Sequence, residues 1–121
     1  MLFTLEKFMS EHYATLEKPK ETYAVYLNGE KVAESSSVIV LSEFKDGKAF
    51  KPLIYFPMDC LSNLTKTGHT SFCPIKGTAS YWSLGDAQNA IWSYEDPMEG
   101  VQDIKGYAGF DLRKGFEITA I

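Results

Sequence analysis

The sequence predicts a mainly β protein of compact antiparallel sheets with seven or eight strands, preceded by one N-terminal helix. Short runs rich in β-branched and aromatic residues recur along the chain and are separated by turn residues. The strongest turn signal is Asn28-Gly29, because both central residues of a type I′ hairpin turn need positive φ. Strands and helices do not alternate, which argues against a parallel sheet with crossover helices.

The N-terminal segment has helical periodicity. An amphipathic helix is predicted over about residues 4–17, with Thr4 as a possible cap and Pro19 as its end. This divides the chain into a helical extension, residues 1–19, and a single β domain, residues 20–121. The side chains that carry the helical spacing are Leu5, Phe8, Met9, His12 and Leu16.

The remaining strands follow from runs and turns. Residues 37–44 and 52–57 read as strands, the second closed by Pro57, and 58–64 could begin with one helical turn. The polar stretch 65–72 is either a loop or a short edge strand. The final strands are predicted at 78–84, 90–95, 107–112 and 115–121, with Arg113-Lys114-Gly115 as the last turn.

Composition limits the class of function. The chain has 121 residues, 45% of them hydrophobic, which suits one soluble domain. Twelve basic and sixteen acidic residues give a net charge of −4, and the lysines are scattered, so nucleic-acid binding is not expected. Aromatic residues make up 14%, which hints at a pocket.

Location and cofactors are constrained by what the sequence lacks. No apolar run approaches the roughly 18 residues that a membrane span needs, and Glu6 interrupts an N-terminus without a basic region. We therefore expect a cytoplasmic protein that does not bind membranes, with Cys60 and Cys73 as free thiols. Two cysteines and two histidines without a CxxC pair predict no metal and no cofactor.

The strands at 78–84 and 90–95 are predicted to pair with Leu84 opposite Ala90. One face then consists of Ser80, Trp82 and Leu84 with Tyr94, Trp92 and Ala90. The other consists of Ala79, Tyr81 and Ser83 with Glu95, Ser93 and Ile91. The second face is polar enough to line a cleft, whereas a core position for both tryptophans is the alternative interpretation.

Two positions before this hairpin have chemical potential. Lys76 lies beside Gly77, where the backbone can turn, and could bind an anionic group at the rim of a pocket or simply be solvated. Cys73 follows His69 by four residues, a spacing that could pair a nucleophile with a base. A structural cysteine is the alternative, and we favour it.

Four motifs together are similar to the family catalogued as domain of unknown function 427: "YFPMD", "CPIKGTASYWS", "AIWSYEDP" and "IKGYAGF". The resemblance covers roughly residues 22–120 and implies a fold of the Mss-four-like or β-tent group. Many such relatives bind zinc through CxxC pairs, and zinc is not expected here because this sequence has no CxxC pair. The family label nucleotidyltransferase-like is not supported either, because the Gly-Ser start and the paired aspartates of that superfamily are missing. The matching positions are Tyr55, Phe56, Pro57, Asp59, Cys73, Lys76, Gly77, Tyr81, Trp82, Ser83, Trp92, Tyr94 and Pro97.

These observations predict a domain that binds an unknown small polar or anionic molecule in an aromatic-walled pocket. An enzyme using Cys73 or Glu95 and a protein-interaction module are the alternatives, and a homodimer is left open. The predicted ligand-binding residues are Lys76, Tyr81, Ser83, Trp92, Ser93, Tyr94 and Glu95.

Overall fold

A computed structural model describes residues 11–121, which form eleven strands and three short 3-10 turns. The 3-10 turns are Met58–Cys60, Gln102–Ile104 and Leu112–Lys114. The strands are β1 His12–Glu17, β2 Tyr23–Leu27, β3 Glu30–Ser35, β4 Ile39–Lys45, β5 Lys48–Ala49, β6 Leu53–Pro57, β7 Leu64–Cys73, β8 Gly77–Leu84, β9 Ala87–Tyr94, β10 Tyr107–Phe110 and β11 Phe116–Ala120.

The strands form two antiparallel sheets, so the mainly β prediction is confirmed. The larger sheet has eight strands in the order β1-β4-β6-β10-β9-β8-β7, with β5 added beside β4. The smaller sheet has the order β11-β2-β3. The structure has more strands than the seven or eight predicted, because β1 forms where the periodicity predicts a helix, β5 has only two residues, and β7 forms where the sequence allows either a loop or a strand. The likeness to the β-tent group stays a prediction.

The turn chemistry places the hairpins where the sequence predicts them. Asn28 and Gly29 have φ values of 51° and 87° and join β2 to β3, as a type I′ turn requires. Asp46 and Gly47 likewise have positive φ, at 54° and 78°, between β4 and β5. These dipeptides set the strand ends independently of tertiary packing.

The helix prediction is wrong over the part that can be compared. His12–Glu17 is strand β1, which pairs with β4 along its whole length. Tyr13 stacks on Phe44 with ring centroids 5.1 Å apart, and cross-strand contacts of this kind outweigh the weak helical periodicity. The earlier part of the predicted helix, at Leu5, Phe8 and Met9, lies outside the described residues.

Two hydrophobic cores lie on opposite faces of the larger sheet. The inter-sheet core contains Phe56, Phe110 and Phe116 and fills the space between the two sheets. The outer core contains Leu41, Tyr55 and other residues of the larger sheet, and Val101 and Ile104 from the loop after β9 cover it. Within residues 11–121, no helix is long and apolar enough to cross a membrane.

The register of the β8–β9 hairpin differs from the prediction by one residue. Tyr81 lies opposite Trp92, whereas the predicted register put Trp82 there. The connection is a tight turn at Gly85 and Asp86 rather than a five-residue loop, and a bulge after Trp82 adds residues to β9. A shift of one residue exchanges the two faces of a strand. Tyr81 and Trp92 therefore lie on the same face, whereas the predicted register puts them on opposite faces.

Candidate functional site

The central feature of the site is an open cleft of about 580 Å³ beside the β8–β9 hairpin. Tyr81 and Trp92, opposite each other in the ladder, line it, and their ring centroids are 6.5 Å apart. Both residues belong to the predicted set and are half-buried. Two large rings on one sheet face, tilted by 47° to each other, provide an apolar wall, the usual lining of small-molecule sites.

Bulges in two neighbouring strands position Tyr81. The β7–β8 ladder is interrupted between Lys66 and Thr70, and the interruption lets the His69 ring meet the Tyr81 ring with centroids 4.6 Å apart. Thr67 Oγ1 donates to Asn89 Oδ1 at 2.6 Å, which ties the β7 bulge to the β9 bulge. His69 and Asn89 therefore join Tyr81 in the lining of the cleft.

The absence of a side chain at Gly109 and one hydrogen bond to Tyr55 fix the position of Trp92. Its indole Nε1 donates to the Tyr55 hydroxyl at 3.1 Å. The ring covers the backbone of Gly109 on β10 so closely that an added Cβ would lie 2.6 Å from the ring atom Cε2. No side chain larger than a hydrogen fits there, so Gly109 is a requirement of the aromatic wall.

The rim of the cleft is cationic. Lys51, Arg113 and Lys114, which we call the rim cations, line it together with the single carboxylate of Asp111. The chain as a whole has a net charge of −4, so this concentration of positive charge is local. Positive potential confined to a concave site attracts anions in particular.

Arg113 and Asp111 organise the turn that carries the rim. Asp111 Oδ1 accepts from the Arg113 backbone N–H at 3.1 Å and from Arg113 Nε at 2.9 Å. The Arg113 hydrogen bond lowers the pKa of Asp111, so the carboxylate is ionised near neutral pH. Lys114 Nζ donates to the Gln88 carbonyl at 2.5 Å, which anchors the same turn to β9.

Lys76 does not line this cleft and is nearly buried, and its predicted role in ligand binding stays a prediction. Its side chain is 8% exposed, and Nζ lies 3.1 Å from Glu43 Oε1. Glu43 Oε2 also lies 2.6 Å from His12 Nε2, so His12, Glu43 and Lys76 form one ion cluster. The Lys76 ammonium also lies 5.7 Å from the centroid of the Tyr94 ring, which adds a cation–π contact.

The ionisation of the cluster follows from these contacts. Burial raises the pKa of Glu43, but the hydrogen bonds from His12 and Lys76 outweigh it, and the net pKa lies below the usual value. Burial raises the pKa of the Tyr94 hydroxyl, with a further contribution from neighbouring Tyr55. Tyr94 is therefore neutral, and the ion pair between Lys76 and Glu43 provides the charges that hold the cluster together.

Three other predicted ligand residues, Ser83, Ser93 and Glu95, are not in the lining of the cleft. Ser83 Oγ accepts from the Asn89 backbone N–H at 3.0 Å and supports the β9 bulge. Ser93 is buried and donates to the Tyr107 carbonyl at 2.6 Å. Glu95 bonds to Ser80 Oγ at 2.7 Å and to Lys66 Nζ at 2.9 Å, on the face opposite to Trp92.

The cysteines have no base or metal partner in the arrangement described. Cys73 and His69 lie on one strand, four residues apart, which separates their backbones by on the order of 10 Å. Burial raises the pKa of the Cys60 thiol, which makes it a poorer nucleophile. Across residues 11–121, no three His, Cys, Asp or Glu side chains are grouped closely enough to hold a metal ion.

Sequence reasoning missed the rim cations and Gly109. Arg113 and Lys114 were read only as a turn, although two consecutive cations in an acidic chain were a visible signal. Gly109 stands in the "IKGYAGF" motif, where a glycine inside a strand suggests close approach by another group. For Lys51, two residues before β6, the sequence had no such signal.

The fold and the cleft define a small antiparallel β protein with one aromatic-walled, cation-rimmed concavity on its larger sheet. The chain belongs to the family described as "Domain of unknown function (DUF427)", whose pattern matches residues 15–118. The resemblance read from the motifs is therefore confirmed, and the match begins within β1. A comparison with curated proteins gives no match.

Proposed function

We propose that the protein binds a small anionic molecule in the cleft. The apolar or flat part of the ligand lies against Tyr81 and Trp92, and its charge faces the rim cations. The observation that carries the proposal is the coincidence of an aromatic wall and three cations in one cavity of about 580 Å³. That volume lies within the range of about 300–1,000 Å³ typical of ligand sites.

Two further observations favour an anion over a neutral molecule. Lys51 is exposed and has no ion-pair or hydrogen-bond partner among residues 11–121, so its charge is available to a ligand. Asp111, the one carboxylate in the lining, is already bound by Arg113 and adds little repulsion. Charge-assisted hydrogen bonds to such cations are stronger than neutral ones.

Calorimetric titration with benzoate and benzamide tests this proposal, because the two probes share a ring and differ in charge. We expect benzoate to bind more tightly. The double variant Lys51→Gln/Lys114→Gln should weaken benzoate binding about tenfold or more, since each lost contact is to a charged group. Benzamide binding should change little.

A matched control removes the same net charge elsewhere. Lys20→Gln/Lys105→Gln changes two exposed cations that do not line the cleft, and it should leave benzoate affinity near that of the native protein. Equal binding of benzoate and benzamide, or an equal loss in both double variants, would overturn anion recognition at this rim.

A further inference from the structure

A second, smaller cavity adjoins the cleft. It has a volume of about 180 Å³, and we call it the apolar pocket. Among residues 11–121, Lys51 is the only charged residue in its lining; the rest is Pro52, Leu53, Ile54, Phe110, Leu112 and Ile118. Lys51, Leu53, Phe110 and Leu112 also line the cleft, so the two cavities share one border.

The larger sheet is incompletely paired at this border. β6 and β10 pair at only two positions, the last of which joins Ala108 to Phe56. Beyond it, β10 continues against β9 and the start of β6 continues against β4. Leu53 and Phe110 lie on the stretches beyond the last of these pairs, so the border of the two cavities coincides with the end of the β6–β10 ladder.

From the shared border, the apolar pocket reaches toward the inter-sheet core. Leu53 packs with the outer core, on the face of the cleft, whereas Ile54 packs with the inter-sheet core. Ile118 belongs to β11 of the smaller sheet, so the apolar pocket extends into the space between the sheets. A ligand that occupies both cavities therefore has its polar end in the cleft and its apolar end against Ile54 and Ile118.

We propose that the cleft and the apolar pocket form one site for carboxylates with an unbranched apolar tail. The carboxylate lies at the rim cations, and the tail passes across the shared border into the pocket. This deepens the proposed anion binding and rests on it. Lys51 lines both cavities, so its ammonium is close to the point where the carboxylate group of such a ligand joins its alkyl tail.

The volume of the pocket sets the length of the tail. A protein cavity of about 150 Å³ lined by Leu, Ile and Phe holds benzene. The apolar pocket, at about 180 Å³, is slightly larger and has a similar lining. It therefore accommodates about six carbons, and each methylene that enters should raise the affinity about fourfold.

Titration calorimetry with acetate, butanoate, hexanoate, octanoate and decanoate tests the length dependence. We expect affinity to rise along the series and to level off once the tail exceeds about six carbons. Octanamide, which has the tail without the charge, should bind more weakly than octanoate. Equal affinities for acetate and octanoate would overturn the proposed tail site while benzoate binding still supported the cleft.

Filling the pocket tests its location. Ile118→Phe adds volume inside the pocket without touching the lining of the cleft, and it should abolish the gain of octanoate over acetate. Thr119→Phe, the next residue on β11, is exposed and should keep that gain. An unchanged octanoate affinity in folded Ile118→Phe would show that the tail lies elsewhere.

A measurement on the native protein covers the case in which Ile118→Phe does not fold. Octanoate should shift the methyl NMR signals of Ile54, Leu112 and Ile118, and acetate should shift those of Ile54 and Ile118 little. Identical methyl shifts with both acids would overturn the pocket assignment. Benzoate binding that fails as well would instead remove the anion site on which this inference rests.

Discussion

Two groups of cations border the same side of the larger sheet, and their surroundings differ. Lys76 is nearly buried, paired with Glu43 at 3.1 Å and placed over the Tyr94 ring. The rim cations Lys51, Arg113 and Lys114 are exposed and outnumber the single carboxylate of Asp111. Glu43 balances the charge of Lys76, whereas the three rim cations carry more positive charge than Asp111 balances.

This difference separates a structural cation from a ligand-binding one. A buried charge must be compensated by the protein itself, so Lys76 is committed to the ion cluster and holds β4 near the start of β8. An exposed cation at a concave surface is compensated by water and can exchange that water for a ligand. Lys76, the cation that the sequence favoured, therefore differs from those the cleft offers.

The largest expected effect comes from breaking the ion cluster. Glu43→Gln leaves the Lys76 ammonium buried without its counter-charge and should lower the free energy of unfolding by about 3 kcal/mol. Glu95→Gln is the matched control, since Glu95 is 54% exposed and pairs with Lys66, 53% exposed. It should cost about 0.5 kcal/mol or less. Denaturant unfolding of both variants measures the difference, and similar losses would contradict the structural role of the cluster.

A smaller loss of stability is expected from Gly109→Ala. The added Cβ would lie within 2.6 Å of the Trp92 ring, so the indole must move, at a cost of about 1–3 kcal/mol. Benzoate binding should fall with the displaced ring. Gly68→Ala is the control, because nothing lies within 4 Å of its added Cβ, and thermal unfolding compares the two. If Gly109→Ala keeps native stability and affinity, Trp92 does not form the wall described.

The ion cluster also predicts a dependence on pH. The pKa of Glu43 is lowered in the folded protein, so its contribution is present above the unfolded pKa of about 4.3 and is lost as pH falls through the folded value. The side-chain carboxyl carbon of Glu43, followed by NMR, should titrate below about pH 4.3. A midpoint at or above that value would contradict the hydrogen bonds from His12 and Lys76.

The smallest effect on stability is expected at the rim. Lys51→Gln removes an exposed charge that has no partner within the described part of the chain, and it should change the free energy of unfolding by no more than about 0.5 kcal/mol. The same variant should weaken benzoate binding measurably. A large loss of stability without a loss of affinity would place Lys51 with the structural cations.

Local patterns predicted the strands and turns because turn residues such as Asn28-Gly29 act through their own backbone preferences. The register of β8 and β9 depends on a bulge near Ser83 and Asn89, and no short sequence pattern predicts such a bulge. That one-residue difference decided which side chains face the cleft. Tyr81 and Trp92 were found from composition and motif, but pairing of Lys76 with distant Glu43 is a property of the folded chain.

The two tryptophans provide the most direct test of the cleft. Trp92 lines the cleft, whereas Trp82 packs against the inter-sheet core on the other face. Proton–nitrogen NMR of the native protein resolves one indole signal for each, and Trp82→Phe assigns them. Titration with benzoate should shift the Trp92 indole signal and leave that of Trp82 nearly unchanged. A shift of the Trp82 signal alone, or of neither, would contradict anion binding on the face that Tyr81 and Trp92 share.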